Sequence, residues 1–205
     1  MIVATVLRSG GIYTPEWVTR LKSAVDKHLP GVPFVCMTDM DVPGVACLPL
    51  SEGWPGWWSK INLFQPGLFA GDVVLFMDLD TLVVGDLGPL AAFTKPFAMI
   101  RDYHEPAFGQ SCAMLWTPSP ETDLIYQAFV PEASHIMRTR HSDQDWIWET
   151  KPRGSVLLQD EFPGFFGSYK ADDMEKGPRE VRVIAFHGKP KMHELGGWVA
   201  DAWSP

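Results

Sequence analysis

Asp78 and Asp80, in the stretch Phe76-Met77-Asp78-Leu79-Asp80-Thr81-Leu82, are the residues of this chain best suited to chemistry. They follow the apolar run Val73-Val74-Leu75-Phe76-Met77, which reads as a buried strand. Residues i and i+2 of an extended segment point the same way. The strand is therefore expected to end with both carboxylates facing one spot where the sheet opens to solvent. Like charges held together need a cation, and oxygen-only ligands suit a hard divalent ion, magnesium or manganese. A metal at the carboxyl end of such a strand usually serves a phosphate-bearing ligand.

Other residues join this pair only in context. His187 follows an apolar strand and precedes Gly188-Lys189-Pro190. Its imidazole suits manganese beside two carboxylates, although a lone histidine at a core edge is the plainer reading. Lys60 stands near the start of a segment just before the acidic strand. It reads equally as a phosphate or sugar-hydroxyl ligand and as a solvated lysine. Asp143-Gln144 opens a helix, where the helix dipole alone favours an acid. A carboxylate there would also hold sugar hydroxyls. Arg8-Ser9-Gly10-Gly11 is neither a P-loop nor a dinucleotide fingerprint.

The elements that must position these residues follow from pattern. Residues 2–7 read as a strand, and 15–29 as a helix with Thr14 as N-cap and Pro15 at its first position. Strands are expected at 33–37, 45–48, 73–77, 97–100, 112–116 and 181–186. Helices are expected at 59–69, at 120 to about 130, and at 143 to about 150, the last with Ser142 and Asp145 as a capping box. Alternation of this kind gives a largely parallel α/β sheet.

Composition bounds the rest. With 205 residues and 46% hydrophobic content, one domain with a full core is expected. The net charge of −8, with no long basic run, argues against nucleic acid as the main partner. Three cysteines form neither a disulfide framework nor a zinc site. No charged leader and no apolar run of membrane-spanning length is visible. A cytoplasmic protein without a transmembrane segment is the expectation.

Taken together, these pieces resemble glycosyltransferases of the GT-A fold, most like family 8, the glycogenin and bacterial lipopolysaccharide galactosyltransferase type. The resemblance covers most of the chain and rests on segments in the family's order. These are Trp58-Ser59-Lys60-Ile61-Asn62-Leu63, then Met77 to Leu87, Gln110-Ser111-Cys112, Ser142-Asp143-Gln144-Asp145 and Phe186-His187-Gly188-Lys189-Pro190. It implies a Rossmann-like, three-layer α/β/α domain with a mostly parallel mixed sheet. Residues 1–116 would form the nucleotide and metal half, and 117–205 the acceptor and sugar half.

The resemblance also implies roles. Asp78, Asp80 and His187 would hold manganese (or magnesium) against the diphosphate of a nucleotide sugar, UDP being the usual nucleotide. Leu7, Ser9 and Tyr13 would border the base, and Asp39 the base or ribose. Lys60 and Ser111 would meet the donor, Asp143 and Gln144 the transferred sugar as the catalytic pair, and Gly188 and Lys189 the diphosphate. The family spaces its closing histidine and lysine more widely than His187 and Lys189, which makes Lys191 a second candidate. Retaining transfer to an acceptor hydroxyl follows, with Trp198 and Trp203 either stacking on the acceptor or covering a core edge. Three other functions share parts of the pattern: a sugar-phosphate nucleotidyltransferase, a haloacid-dehalogenase-like phosphatase, and a non-catalytic nucleotide-sugar binder.

Overall fold

Strand alternation sets the layers. In a computed structural model describing residues 1–204, Val3, Leu75 and Leu115 face one core, while Ala4, Val74, Phe76, Met114 and Trp116 face another. The sheet between them has seven strands in the order β3-β2-β1-β4-β7-β6-β8. These are β1 (Ile2–Leu7), β2 (Phe34–Thr38), β3 (Ala46–Pro49), β4 (Val74–Met77), β6 (Phe97–Arg101), β7 (Gly109–Trp116) and β8 (Val156–Leu157). All neighbours run parallel except β7, which is antiparallel to both β4 and β6. The expected mixed, mostly parallel α/β sheet is therefore present.

A second sheet of three short strands has the order β5-β10-β9, from β5 (Thr81–Val83), β9 (Phe166–Ser168) and β10 (Val183–Ala185). It packs in the first core together with α1 (Pro15–His28), which buries Trp17, Val18, Leu21 and Val25. The opposite core is closed by α2 (Pro120–Gln127), α3 (Ala133–Thr139) and α4 (Asp143–Thr150), through Ile125, Ile136 and Ile147. Two short helices, α5 (Leu158–Glu161) and α6 (Trp198–Trp203), complete the chain.

Several local expectations change. Residues 56–64 form a 3-10 segment, not an α-helix over 59–69. Every residue from Trp58 to Phe64 is buried, so no polar stripe exists for a surface helix. Pro66 also lacks the N–H that the expected helix would have required there. Thr14 and Ser142 stand at N-cap positions without a side-chain cap bond. Asp145 instead accepts from the His141 N–H at 3.0 Å. Trp203 packs on Trp17, with ring centroids 4.9 Å apart. The Trp198 indole N–H donates to the Met174 carbonyl at 3.0 Å. Both rings cover the core.

The topology decides where a ligand can go. From β1 the chain moves one way to β2 and β3, then crosses back to place β4 on the other side of β1. Outside the carboxyl ends of β1 and β4 this reversal leaves a crevice, the usual ligand position in open α/β sheets. The Thr5 hydroxyl fastens the two strands there by donating to the Met77 carbonyl at 2.8 Å in a buried bond. Thr5→Val keeps the shape and strands that carbonyl. It is expected to lower stability by about 1–2 kcal/mol in urea unfolding, with the circular dichroism spectrum unchanged. A loss near zero would show that the bond fastens nothing.

Candidate active site at the strand crossing

Asp78 and Asp80 do face one place, but through a turn and not a pleat. β4 ends at Met77. The Asp78 N–H bonds the Cys112 carbonyl on β7 at 2.8 Å, and the Thr81 N–H bonds back to the Asp78 carbonyl at 3.1 Å. Leu79, between the acids, is buried in the core. That anchor leaves both flanking carboxylates on the crevice wall.

Each carboxylate has its own ammonium. Lys60 Nζ lies 2.8 Å from Asp78 Oδ2, with its side chain 11% exposed. The same ammonium reaches Ser111 Oγ at 3.1 Å and Asp143 Oδ2 at 3.5 Å, and Ser111 donates to Asp143 Oδ2 at 2.7 Å. Asp80 Oδ2 accepts from the Tyr13 hydroxyl at 2.8 Å and pairs with Lys191 Nζ. Lys191 also donates to the Phe186 carbonyl at 2.8 Å.

Burial sets the electrostatics. It pushes the Asp78 carboxyl up to about 7 against the pull of Lys60, and the nearby Asp80 and Asp143 charges add to the rise. Burial alone would lower Lys60, but the Asp143 and Asp78 carboxylates outweigh it and raise the lysine, so Lys60 stays charged. Burial and the Asp80 charge raise Tyr13, which keeps its hydroxyl a donor.

The crevice encloses about 660 Å³, room for a nucleotide-sized ligand. Of the residues singled out from sequence, Ser9, Tyr13, Lys60, Asp78, Asp80, Ser111, Asp143, Gln144, His187 and Gly188 line it. Asp39 stands behind Ser9. It accepts from the Ser9 N–H at 2.9 Å and from the Ser9 hydroxyl at 2.6 Å, and pairs with Arg8 at 2.8 Å. Leu7 is fully buried in the core, and Val6 lines the crevice. Lys189 points to solvent, 86% exposed and 3.8 Å from Glu194, while Lys191 reaches Asp80. Gln144 Nε2 is 3.4 Å from Asp102 Oδ2. Sequence reasoning missed Ile12 and Trp57. Both line the crevice, at 62% and 56% exposure, and large exposed apolar side chains are visible only once a fold defines exposure.

Whether these residues suit a divalent ion turns on the donor set. Among the described residues no three His, Cys, Asp or Glu side chains form a ligand group. His187 stacks on Tyr103 with ring centroids 5.2 Å apart, and its Nε2 lies 2.8 Å from Ser168 Oγ. Burial, Lys170 and His104 lower its pKa, so the ring is neutral at pH 7 and able to ligate. Among the described residues the side-chain bonds of Asp78 and Asp80 all use Oδ2, which leaves each Oδ1 to a ligand. Two carboxylate oxygens fit an ion that takes its other ligands from phosphate and water, the habit of magnesium-like ions.

Solved glycosyltransferases share this architecture. GlyE of Streptococcus pneumoniae TIGR4 matches 98% of this chain with a TM-score of 0.73 and 14% identity, and the chain spans 60% of GlyE. The galactosyltransferase LgtC, solved with donor and acceptor sugar analogs, matches 99% of this chain with a TM-score of 0.71 and 12% identity, over 94% of its own length. The bifunctional WbbM glycosyltransferase matches 93% of this chain and 46% of its own, with a TM-score of 0.63 and 12% identity. No protein-family model matches the sequence, and no curated protein does. The chain thus has the GT-A fold of these enzymes. No helix among the described residues is long and apolar enough to cross a membrane.

The buried charges predict a pH-dependent defect. Folded Asp78 keeps its proton up to about pH 7, whereas an unfolded aspartate loses it near pH 4. Over that window the folded state binds more protons, so the contribution of Asp78 to stability falls as pH rises. Lys60→Met removes the ammonium that offsets this and leaves Asp143 without its cation. The variant is expected to lose about 3–5 kcal/mol in urea melts at pH 8, and clearly less at pH 5.5. Equal losses at both pH values would contradict the buried pairing of Lys60 with Asp78.

Proposed function

We propose that this protein is a glycosyltransferase that moves a sugar from a UDP-sugar to an acceptor hydroxyl, with retention of configuration. One observation carries the reading. The Asp78–Asp80 turn and the Lys60–Ser111–Asp143 network converge on one crevice at the strand reversal, within a fold that the solved glycosyltransferases share.

Asp78 and Asp80 would hold a divalent cation, manganese or magnesium, with His187 on the same crevice wall as the available imidazole. Such an ion neutralises charge on a leaving diphosphate. The chain's own residues do the remaining work. Ser9, held by Asp39, and Tyr13 border the nucleoside. Lys60 is fixed by two carboxylates and a hydroxyl, so it needs little reorganisation to stabilise negative charge at the departing phosphate. Asp143, held by Ser111, is oriented to accept from sugar hydroxyls. Gln144, steadied by Asp102, offers its amide oxygen to positive charge developing on the sugar. Gly188 lets the backbone pass close to the diphosphate. In this reading Trp57, exposed at the crevice, supplies a flat face for the acceptor.

Thermal unfolding with UDP tests the proposal. Saturation at about 100 times Kd adds roughly 2.7 kcal/mol, which for a domain of this size raises Tm by roughly 5–10 °C. The shift should require manganese or magnesium and should vanish in Asp80→Asn. UDP release from a UDP-hexose should follow the same dependence. No shift with UDP, GDP or CDP, with or without the ion, would remove the proposal.

A further inference from the structure

We propose that Lys191 is the cation Asp80 keeps while no nucleotide is bound, and that a divalent ion takes its place only when a nucleoside diphosphate arrives to receive the displaced ammonium. This rests on the reading of the crevice as a metal-assisted nucleotide-sugar site. It goes further by making Lys191 the element that couples metal to nucleotide.

The geometry is specific. Lys191 Nζ is bound to Asp80 Oδ2 and to the Phe186 carbonyl. The side chains of Lys191 and Asp80 are only 11% and 12% exposed. The Lys191 backbone is fixed, its N–H donating to Glu194 Oε2 at 2.7 Å. The ammonium can therefore swing on its stem while its Cα stays in place. The cluster holds three carboxylates, Asp78, Asp80 and Asp143, against two ammonium groups, Lys60 and Lys191. Lys60 cannot serve the exchange, because Asp78 and Asp143 both hold it.

A divalent ion on Asp80 would stand beside an ammonium already paired with the same carboxylate. Two cations that close, in a site shielded from water, repel strongly. Expelling Lys191 without a new partner would leave a nearly buried charge unpaired, which is also costly. A diphosphate removes the conflict by offering oxygens to both cations. Metal and nucleotide should then bind with positive coupling, equal in both directions. Arginine would preserve the exchange, while an uncharged side chain of similar length would abolish it.

Calorimetric titration of Mn²⁺ into the full chain, with and without saturating UDP, tests this in the wild type, Lys191→Met and Lys191→Arg. Wild type is expected to bind Mn²⁺ roughly tenfold or more tighter when UDP is present. Lys191→Met should bind Mn²⁺ alone roughly tenfold tighter than wild type and lose most of the coupling, while Lys191→Arg should follow wild type. Equal Mn²⁺ affinities with and without UDP in the wild type would overturn the exchange, even if the methionine variant did not fold. So would unchanged or weaker Mn²⁺ binding by Lys191→Met. In the second case, UDP binding that still needs Mn²⁺ would leave the proposed function standing, whereas equal affinities in the wild type would also remove its metal dependence. Wild type that binds neither UDP nor Mn²⁺ would take away both.

Discussion

Two carboxylates two residues apart in sequence, at the mouth of a seven-stranded sheet, are the constraint around which this molecule is arranged. Like charges so close, partly shielded from water, cannot both stay ionised without cations. The chain supplies one ammonium to each, from opposite directions. Lys60 comes from the 3-10 segment beneath the sheet, and Lys191 from the turn after β10. Their distances in sequence from the acids, 18 and 111 residues, mean that only the completed fold assembles the cluster.

The rest of the architecture holds that cluster in register. β7, antiparallel to β4, sets Ser111 beside the ammonium of Lys60 and opposite Asp143 at the start of α4. β5 turns back from the acids and pairs with β10, which delivers His187 to the crevice wall. The Phe186 N–H closes onto the Asp80 carbonyl at 3.0 Å. The second sheet therefore works as a clasp. It is small, but without it Lys191 would not lie against Asp80, nor His187 in the crevice lining.

Much of the central sheet could be read from sequence, because β1, β4 and the turn to α1 obey local rules: apolar runs, a proline at the first helical position, and acids at a strand end. The acidic pair was legible for the same reason, whereas Lys60 read equally as a solvated lysine and gained a donor contact only through the resemblance. The rest depends on long-range contacts. No strand is expected from sequence over residues 81–83, since nothing local reveals that the chain turns at Asp78 and extends again. The partner of β5 is β10, about a hundred residues later, and strands of three residues leave almost no periodicity to detect. Lys191 outranks Lys189 because of the way the chain bends after Gly188, which spacing alone could not decide. The segment around Lys60 was assigned the wrong helix type because it is buried on all sides. The GT-A resemblance compensated for part of this, as the order of the motifs survives where local pattern fails.

The charged turn at Asp78 and Asp80 is proposed to receive a diphosphate. A crystal structure of the chain with UDP and manganese tests that most directly. The diphosphate is expected in the crevice beside Asp78 and Asp80, with the metal between it and the two carboxylates, and Lys191 turned from Asp80 toward a phosphate oxygen. Nucleotide bound elsewhere on the molecule, with both lysines still on their carboxylates, would contradict it.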